Sequence, residues 1–172
     1  PGMSSSILSP RDNEAMTSPH AEYPGDPEHP DHTNYLQELG RATYAAAELA
    51  GIAFDMLRVH RGIDSSLLYN DPLGALEYRL KRSHLSLDGI DEFITLLDEA
   101  RETRNDLIHA LPTKRGLQRR TNRDLSIVRN FYTTESLREA REMFDKAMRK
   151  GNEVLYSDGG AALKKWCGAP EI

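Results

Sequence analysis

Four segments of the chain place apolar residues three and four positions apart, the period of a helix with one buried face. The first begins at Thr33 or Asn34 and ends near Arg58. Leu36, Leu39, Thr43, Ala47, Ala50, Phe54 and Leu57 share its predicted inner face. Gly40, Ala46, Ala47, Ala50 and Gly51 would let a second helix approach closely. Residues 64–72 read as a turn, with Asn70-Asp71-Pro72 as a helix start. The second helix spans residues 73–84 and turns Leu76 and Leu80 inward. His84 near its end suits the negative pole of the helix dipole. Ser86 or Asp88 then caps a third helix that stops near Pro112. Ile90, Phe93, Ile94, Leu97, Ala100, Leu107, Ile108 and Leu111 form its stripe. Thr133 or Thr134 caps the last helix, residues 135–155. Leu137, Ala140, Phe144, Ala147, Met148, Gly151 and Leu155 lie on its inner face.

Between the third and last helices the period changes. Residues 116–121 and 125–132 read as two short strands around Asn122-Arg123-Asp124. The predicted fold is therefore mainly α: a bundle of about four core helices over residues 33–156, with a short β-hairpin before the last helix. Pro1-Gly2 ahead of Met3 read as a cloning remnant. Residues up to 32 are rich in Ser, Pro, Asp, Glu and His, and form a leader expected to be disordered or extended. Residues 157–172 form a Gly-containing tail with Trp166 and Cys167.

Charge narrows the candidate partners. The net charge of −5 rules out a generic polyanion binder, so any nucleic-acid surface must be local. The hairpin supplies one. Lys114, Arg115, Arg119, Arg120, Arg123 and Arg129 face only Asp124 in that stretch. Arg115, Arg119, Arg120 and Arg123 are the candidate RNA-backbone contacts. The competing reading is a charged, solvated edge that resists aggregation. The single Cys167 excludes an intrachain disulfide and a Cys-based zinc site, and suits a reducing cytoplasm. No long apolar run predicts a membrane span. His29-Pro30-Asp31-His32, with His20, Asp26 and Glu28 nearby, has a metal-tract composition. Pro30 blocks a helical ligand face, so a solvated acidic leader is the preferred reading and no metal or cofactor is expected. Glu48 is read as a surface residue, with pairing to a buried Arg as the alternative.

The chemistry concentrates at the end of the third helix. Arg104 falls near the middle of the apolar stripe, where a Leu would be expected. A guanidinium facing a core must be paired, or must line a cavity or an interface. Asn105 and His109 are four apart and stack on the flank of the stripe. Arg104-Asn105-Asp106-Leu107-Ile108-His109 resembles the signature of the HEPN family (higher eukaryotes and prokaryotes nucleotide-binding domains). Its ribonuclease members carry Arg, four to six residues, then His, commonly with a polar residue after the Arg. The resemblance covers residues 34–156.

RNA carries its own nucleophile, the 2′-hydroxyl. His109 has a side chain suited to proton transfer near neutral pH, and Arg104 offers planar donors to phosphate oxygens. Asn105 would hold the phosphate or orient His109. Neither task needs a metal. Along an ideal helix Arg104 and His109 stand about 140° apart and about 7.5 Å along the axis, so one helix aims both at one phosphate only with difficulty. Two copies about a two-fold axis would place both pairs around one cleft. The resemblance implies the same: a composite site across a homodimer, and a 2′,3′-cyclic phosphate product. It also implies toxin-like or phage-defence activity, with a nucleotidyltransferase-type antitoxin as a partner. The alternative expectation is a non-catalytic RNA- or nucleotide-binding dimerisation module, or an accessory partner of such a nucleotidyltransferase.

Overall fold

A computed structural model describes residues 23–113, 115–119 and 131–166. Helix α1 (His32–Arg61) is 30 residues long and lies at the centre, against α2 (Leu73–Ser83), α3 (Ile90–Ile108) and α4 (Thr134–Leu155). Nothing after Arg58 stops α1 until Gly62. There the backbone turns left-handed (φ 63°) and the Gly62 amide donates to the Arg58 carbonyl, closing the helix three residues beyond the predicted end. The buried side of α1 carries Tyr35, Glu38, Ala42, Ala45, Ala46, Leu49, Ala53, Met56 and Leu57. The predicted face was rotated from this one. Leu36, Thr43 and Ala47 are exposed, and Leu39, Ala50 and Phe54 are half-buried. The alanine side wins because small side chains let the neighbouring helices close onto α1.

Helix α2 starts behind Pro72 and ends with His84 as a left-handed cap (φ 47°). The sequence predicted Ser86 or Asp88 as the cap of α3, and neither holds that position. Gly89 occupies that position at φ 76°, a conformation in which a side chain is strained. Helix α3 also ends earlier than predicted, at Ile108. Leu111 leaves the helical stripe and opens strand β1 (Leu111–Thr113), which pairs antiparallel with β2 (Gly116–Gln118). This pair turns between Thr113 and Gly116 and was not predicted; the predicted turn at 122–124 lies outside the described residues. Pro112 has no amide to donate and sits in the strand at the register Pro112↔Leu117. Most of the second predicted strand falls on residues 120–130, outside the described residues. On its far side Phe131 bridges Gln118, and the Tyr132 amide donates to the Leu117 carbonyl at 2.9 Å.

Thr133 caps α4 as predicted. Its hydroxyl accepts from the Ser136 amide, and the Ser136 hydroxyl accepts from the Thr133 amide. The tail contains a short helix, α5 (Ala161–Trp166), that the sequence reading missed. The Asp158 carboxylate starts it by accepting from the Gly160 and Ala162 amides. The described part of the leader, residues 23–31, needs a larger correction. Residues 23–31 fold into consecutive turns and pack on the hairpin. Gly25 lies so close to Gly116 that an added Cβ would sit 2.1 Å from the Gly116 Cα. Tyr23 packs on Phe131 with ring centres 5.1 Å apart. The imidazoles of the proposed metal tract serve these turns: His29 Nδ1 accepts from the Asp31 amide, and His32 Nδ1 lies 3.0 Å from the Pro24 carbonyl.

Helix α4 runs parallel to α1, since Glu38 meets Arg141 near their starts and His60 meets the Leu155 carbonyl near their ends. It runs antiparallel to α3, where Glu92 meets Lys150 and Thr103 meets Met143. Gly151 sits in the middle of this contact. A Cβ there would lie 2.6 Å from Ile52 Cγ2 and 2.7 Å from Phe93 Cε2. Two buried carboxylates tie the helices together. Glu38 on α1 takes Arg41 and, across the interface, Arg141 on α4. Glu77 on α2 takes Lys81 and, across the interface, Arg101 on α3. Glu48, the acid considered in the sequence for such a role, is exposed.

Burial pushes the Glu38 carboxyl up, but the bonds from Arg41 and Arg141 more than offset this and hold it below the ordinary range. Asp98 is also held low, first by its bond from Arg101 and against its own desolvation. A carboxyl depressed in the folded state contributes stability above its unfolded pKa, about 4, and loses it as pH falls through the folded value. The melting temperature should therefore fall steadily below about pH 4. In Glu38→Gln that acid limb should be shallower and the neutral-pH melting temperature lower. An acid limb identical to wild type would remove Glu38 from the account.

Candidate functional site

The last turn of α3 places the candidate residues. Arg104 is half-buried, on the side of the helix that faces the core one turn earlier at Ala100 and Leu97. Its Nη1 donates to Asn105 Oδ1 at 3.3 Å. Among the described residues, no carboxylate forms an ion pair with Arg104. The core ends around it: Leu107 is buried, whereas Ile108 is 47% exposed and Leu111 is 45% exposed. Both had been predicted to face inward. The stripe thus stays in the core as far as Leu107, and Ile108 and Leu111 beyond it are apolar surface.

His109 does not lie inside the helix. It is the residue that closes α3, its amide donating to the Asn105 carbonyl at 3.0 Å. Its imidazole is exposed and has no hydrogen-bond partner among the described residues. Asn105 touches Arg104, so those two form one unit. His109 follows Asn105 by one turn, joined to it through the backbone, and shares no side-chain hydrogen bond with either residue.

The hairpin arginines divide. Arg115 lies at the turn, its guanidinium 5.2 Å from the Tyr23 ring centre, so the leader covers part of it. Arg119 stacks more closely, 4.3 Å from the ring centre of buried Tyr132. Arg120 and Arg123 lie outside the described residues. Tyr35 fixes the hairpin from α1, its hydroxyl accepting from the Leu117 amide at 3.0 Å.

Arg119 and Tyr132 line a cavity of about 170 Å³ between the end of α3 and the start of α4. Thr103 and Asp106 come from α3, and Ser136, Glu139, Ala140 and Met143 from α4. Burial pushes the Tyr132 phenol up; the Arg119 charge pulls it down and the Asp106 charge pushes it up, so both charges reach that hydroxyl. Asp106 precedes His109 by three residues, so the cavity lining comes within one turn of His109 along the chain. The sequence reading missed Asp106, Tyr132 and Glu139. Asp106 was inside the motif, but only the fold brings the other two to it.

Among the described residues, no group of three or more His, Cys, Asp or Glu side chains is placed to hold a metal ion. No described helix is long and apolar enough to cross a membrane. Comparison with known proteins returned no matching family model, no matching curated protein and no matching solved structure.

Proposed function

We propose that the chain is a metal-independent endoribonuclease of the HEPN type, working in the cytoplasm in a toxin-like or phage-defence role. The observation that carries this reading is Arg104. A guanidinium half withdrawn from water, held by one amide oxygen and no carboxylate among the described residues, is prepared for an anion. In the proposed reaction the RNA 2′-oxygen attacks the adjacent phosphorus and the bond to the 5′-oxygen breaks. The products are a 2′,3′-cyclic phosphate and a free 5′-hydroxyl. His109 handles the proton that leaves the 2′-oxygen or the one that reaches the 5′-oxygen. Arg104 holds the non-bridging oxygens as charge builds there, and Asn105 fixes the Arg104 fork. Arg119, with Arg115, Arg120 and Arg123, would guide the backbone toward the site. Incubating the purified protein with total RNA in EDTA tests this, with the cut ends assayed for cyclic phosphate. Intact RNA, both with and without added metal, would sink the reading.

The proposed site is composite. Exposed Ile108 and Leu111 flank Arg104, and a second copy packed there would bring its own His109 toward this phosphate. Light scattering at micromolar concentration should give a dimer. Ile108→Glu should give a monomer with an unchanged melting temperature and no cleavage. A wild type that is only monomeric would remove the composite site.

One observation favours the alternative, a non-catalytic RNA- or nucleotide-binding dimerisation module or an accessory partner of a nucleotidyltransferase antitoxin. No described side chain orients His109, and a proton-transfer group ordinarily has such a partner.

A further inference from the structure

The cavity between α3 and α4 has a chemistry that phosphate binding does not use. At about 170 Å³ it is smaller than the pockets that hold drug-sized ligands, about 300–1,000 Å³, and nearer the scale of one nucleobase. Ala140 and Met143 give it an apolar wall on which a flat ring can lie, with the Met143 thioether as a polarisable contact. At one edge stands the Glu139 carboxylate, which forms no ion pair among the described residues. Arg119 also lines the cavity, with its guanidinium 4.3 Å from the Tyr132 ring centre. With Asp106 also in the lining, carboxylates here would repel the phosphate backbone, so Glu139 serves a group on the RNA that donates hydrogen bonds.

We propose that this cavity takes one unpaired guanine of the bound RNA, with Glu139 accepting from its N1–H and N2–H groups and Arg119 donating to O6 and N7. Guanine is the standard base whose Watson–Crick edge presents two adjacent donors, the match for the two oxygens of one carboxylate. Cytosine and adenine set an acceptor beside their amino group, against the second carboxylate oxygen. Uracil sets its single N–H between two carbonyls. The O6 and N7 acceptors are the pair that a planar guanidinium reads. Single-stranded RNA is recognised in this way, by a splayed base on a side-chain platform with its edge read by fixed polar groups. Because Asp106 brings the cavity lining within one turn of His109 along the chain, the guanine would belong to a nucleotide beside the scissile bond. The assignment rests on the ribonuclease reading for that last step only; the base preference itself does not.

The test uses the full chain and four probes, GMP, AMP, CMP and UMP, with inorganic phosphate as the control for phosphate binding alone. Methyl NMR follows Met143 and Ala140. GMP should shift both and bind about tenfold or more tightly than the other three, the scale of one bidentate base contact. Glu139→Gln, an exposed change on α4, should bring GMP to the level of the others with an unchanged melting temperature. Arg119→Lys should do the same in part, and His109→Ala should leave GMP binding as it is. Equal affinity for all four nucleotides, or a Glu139→Gln protein that still prefers GMP, overturns the proposal. GMP selectivity in a protein that cuts no RNA keeps the cavity's assignment and removes the nuclease reading. Cleavage without GMP selectivity does the reverse.

Discussion

Replacing His109 with Ala should slow RNA cleavage about a hundred- to ten-thousand-fold, the usual loss for a general acid or base. The melting temperature and RNA affinity should stay near wild type. The structure makes this variant clean. His109 is exposed, closes α3 through its backbone amide, and has no side-chain hydrogen bond among the described residues. Truncating the imidazole therefore removes little packing and leaves no described polar group unsatisfied. Arg104→Ala should also stop cleavage, but its side chain is half-buried and its loss can disturb the end of the helix. Arg104→Lys separates the two effects, because it keeps the charge and loses the planar fork. With a two-point phosphate clamp, Lys should recover little activity at an unchanged melting temperature. Full activity in Arg104→Lys would reduce Arg104 to a point charge. Full activity in His109→Ala would falsify the proton-transfer role outright.

The second large effect concerns the bundle. Phe93→Ala should destabilise the protein by about 3–5 kcal/mol, because a fully buried ring is replaced by a cavity. For a domain of this size that corresponds to a fall of about 6–20 °C in melting temperature. The ring is positioned by a specific absence of side chain: its Cε2 would stand 2.7 Å from a Cβ on Gly151. Gly151→Ala alone should therefore be unfavourable, although Ala in a helix interior is worth about 1 kcal/mol over Gly. The Phe93 ring and the Ile52 methyl must both shift, an overpacking cost of about 1–3 kcal/mol. In the Phe93→Ala protein half of that obstacle is gone. The double variant should lose less than the two single losses combined. Strict additivity in thermal melts would show that the ring and Gly151 do not meet.

Helix identity in this chain comes from local rules. The period of apolar residues, Pro72 before α2 and Thr133 before α4 act within a few positions of themselves, so they could be read without the fold. The same holds for the motif. The spacing puts Arg104, Asn105 and His109 at the end of one helix, and the structure has all three in the last turn of α3 and its cap. Where local signals compete, tertiary packing decided. On α1 both the Leu36–Thr43 side and the Ala42–Ala46 side have a helical period. The alanine side is the one buried, because small residues allow the neighbouring helices to approach closely. Glu38 and Glu77 look like surface acids in sequence. They are buried because Arg141 and Arg101, 103 and 24 residues away, are brought to them. The leader shows the same limit. Its composition predicts no core of its own, yet Gly25 folds against Gly116 because the hairpin offers a surface that no window of the leader contains. The cavity that joins Asp106 to Tyr132 and Glu139 is likewise a product of α3 lying antiparallel to α4. Sequence spacing determined the helices and the order of the motif. Only long-range packing decided which faces are buried, which acids are paired and what stands beside Asp106, because those choices depend on residues that are distant in the chain.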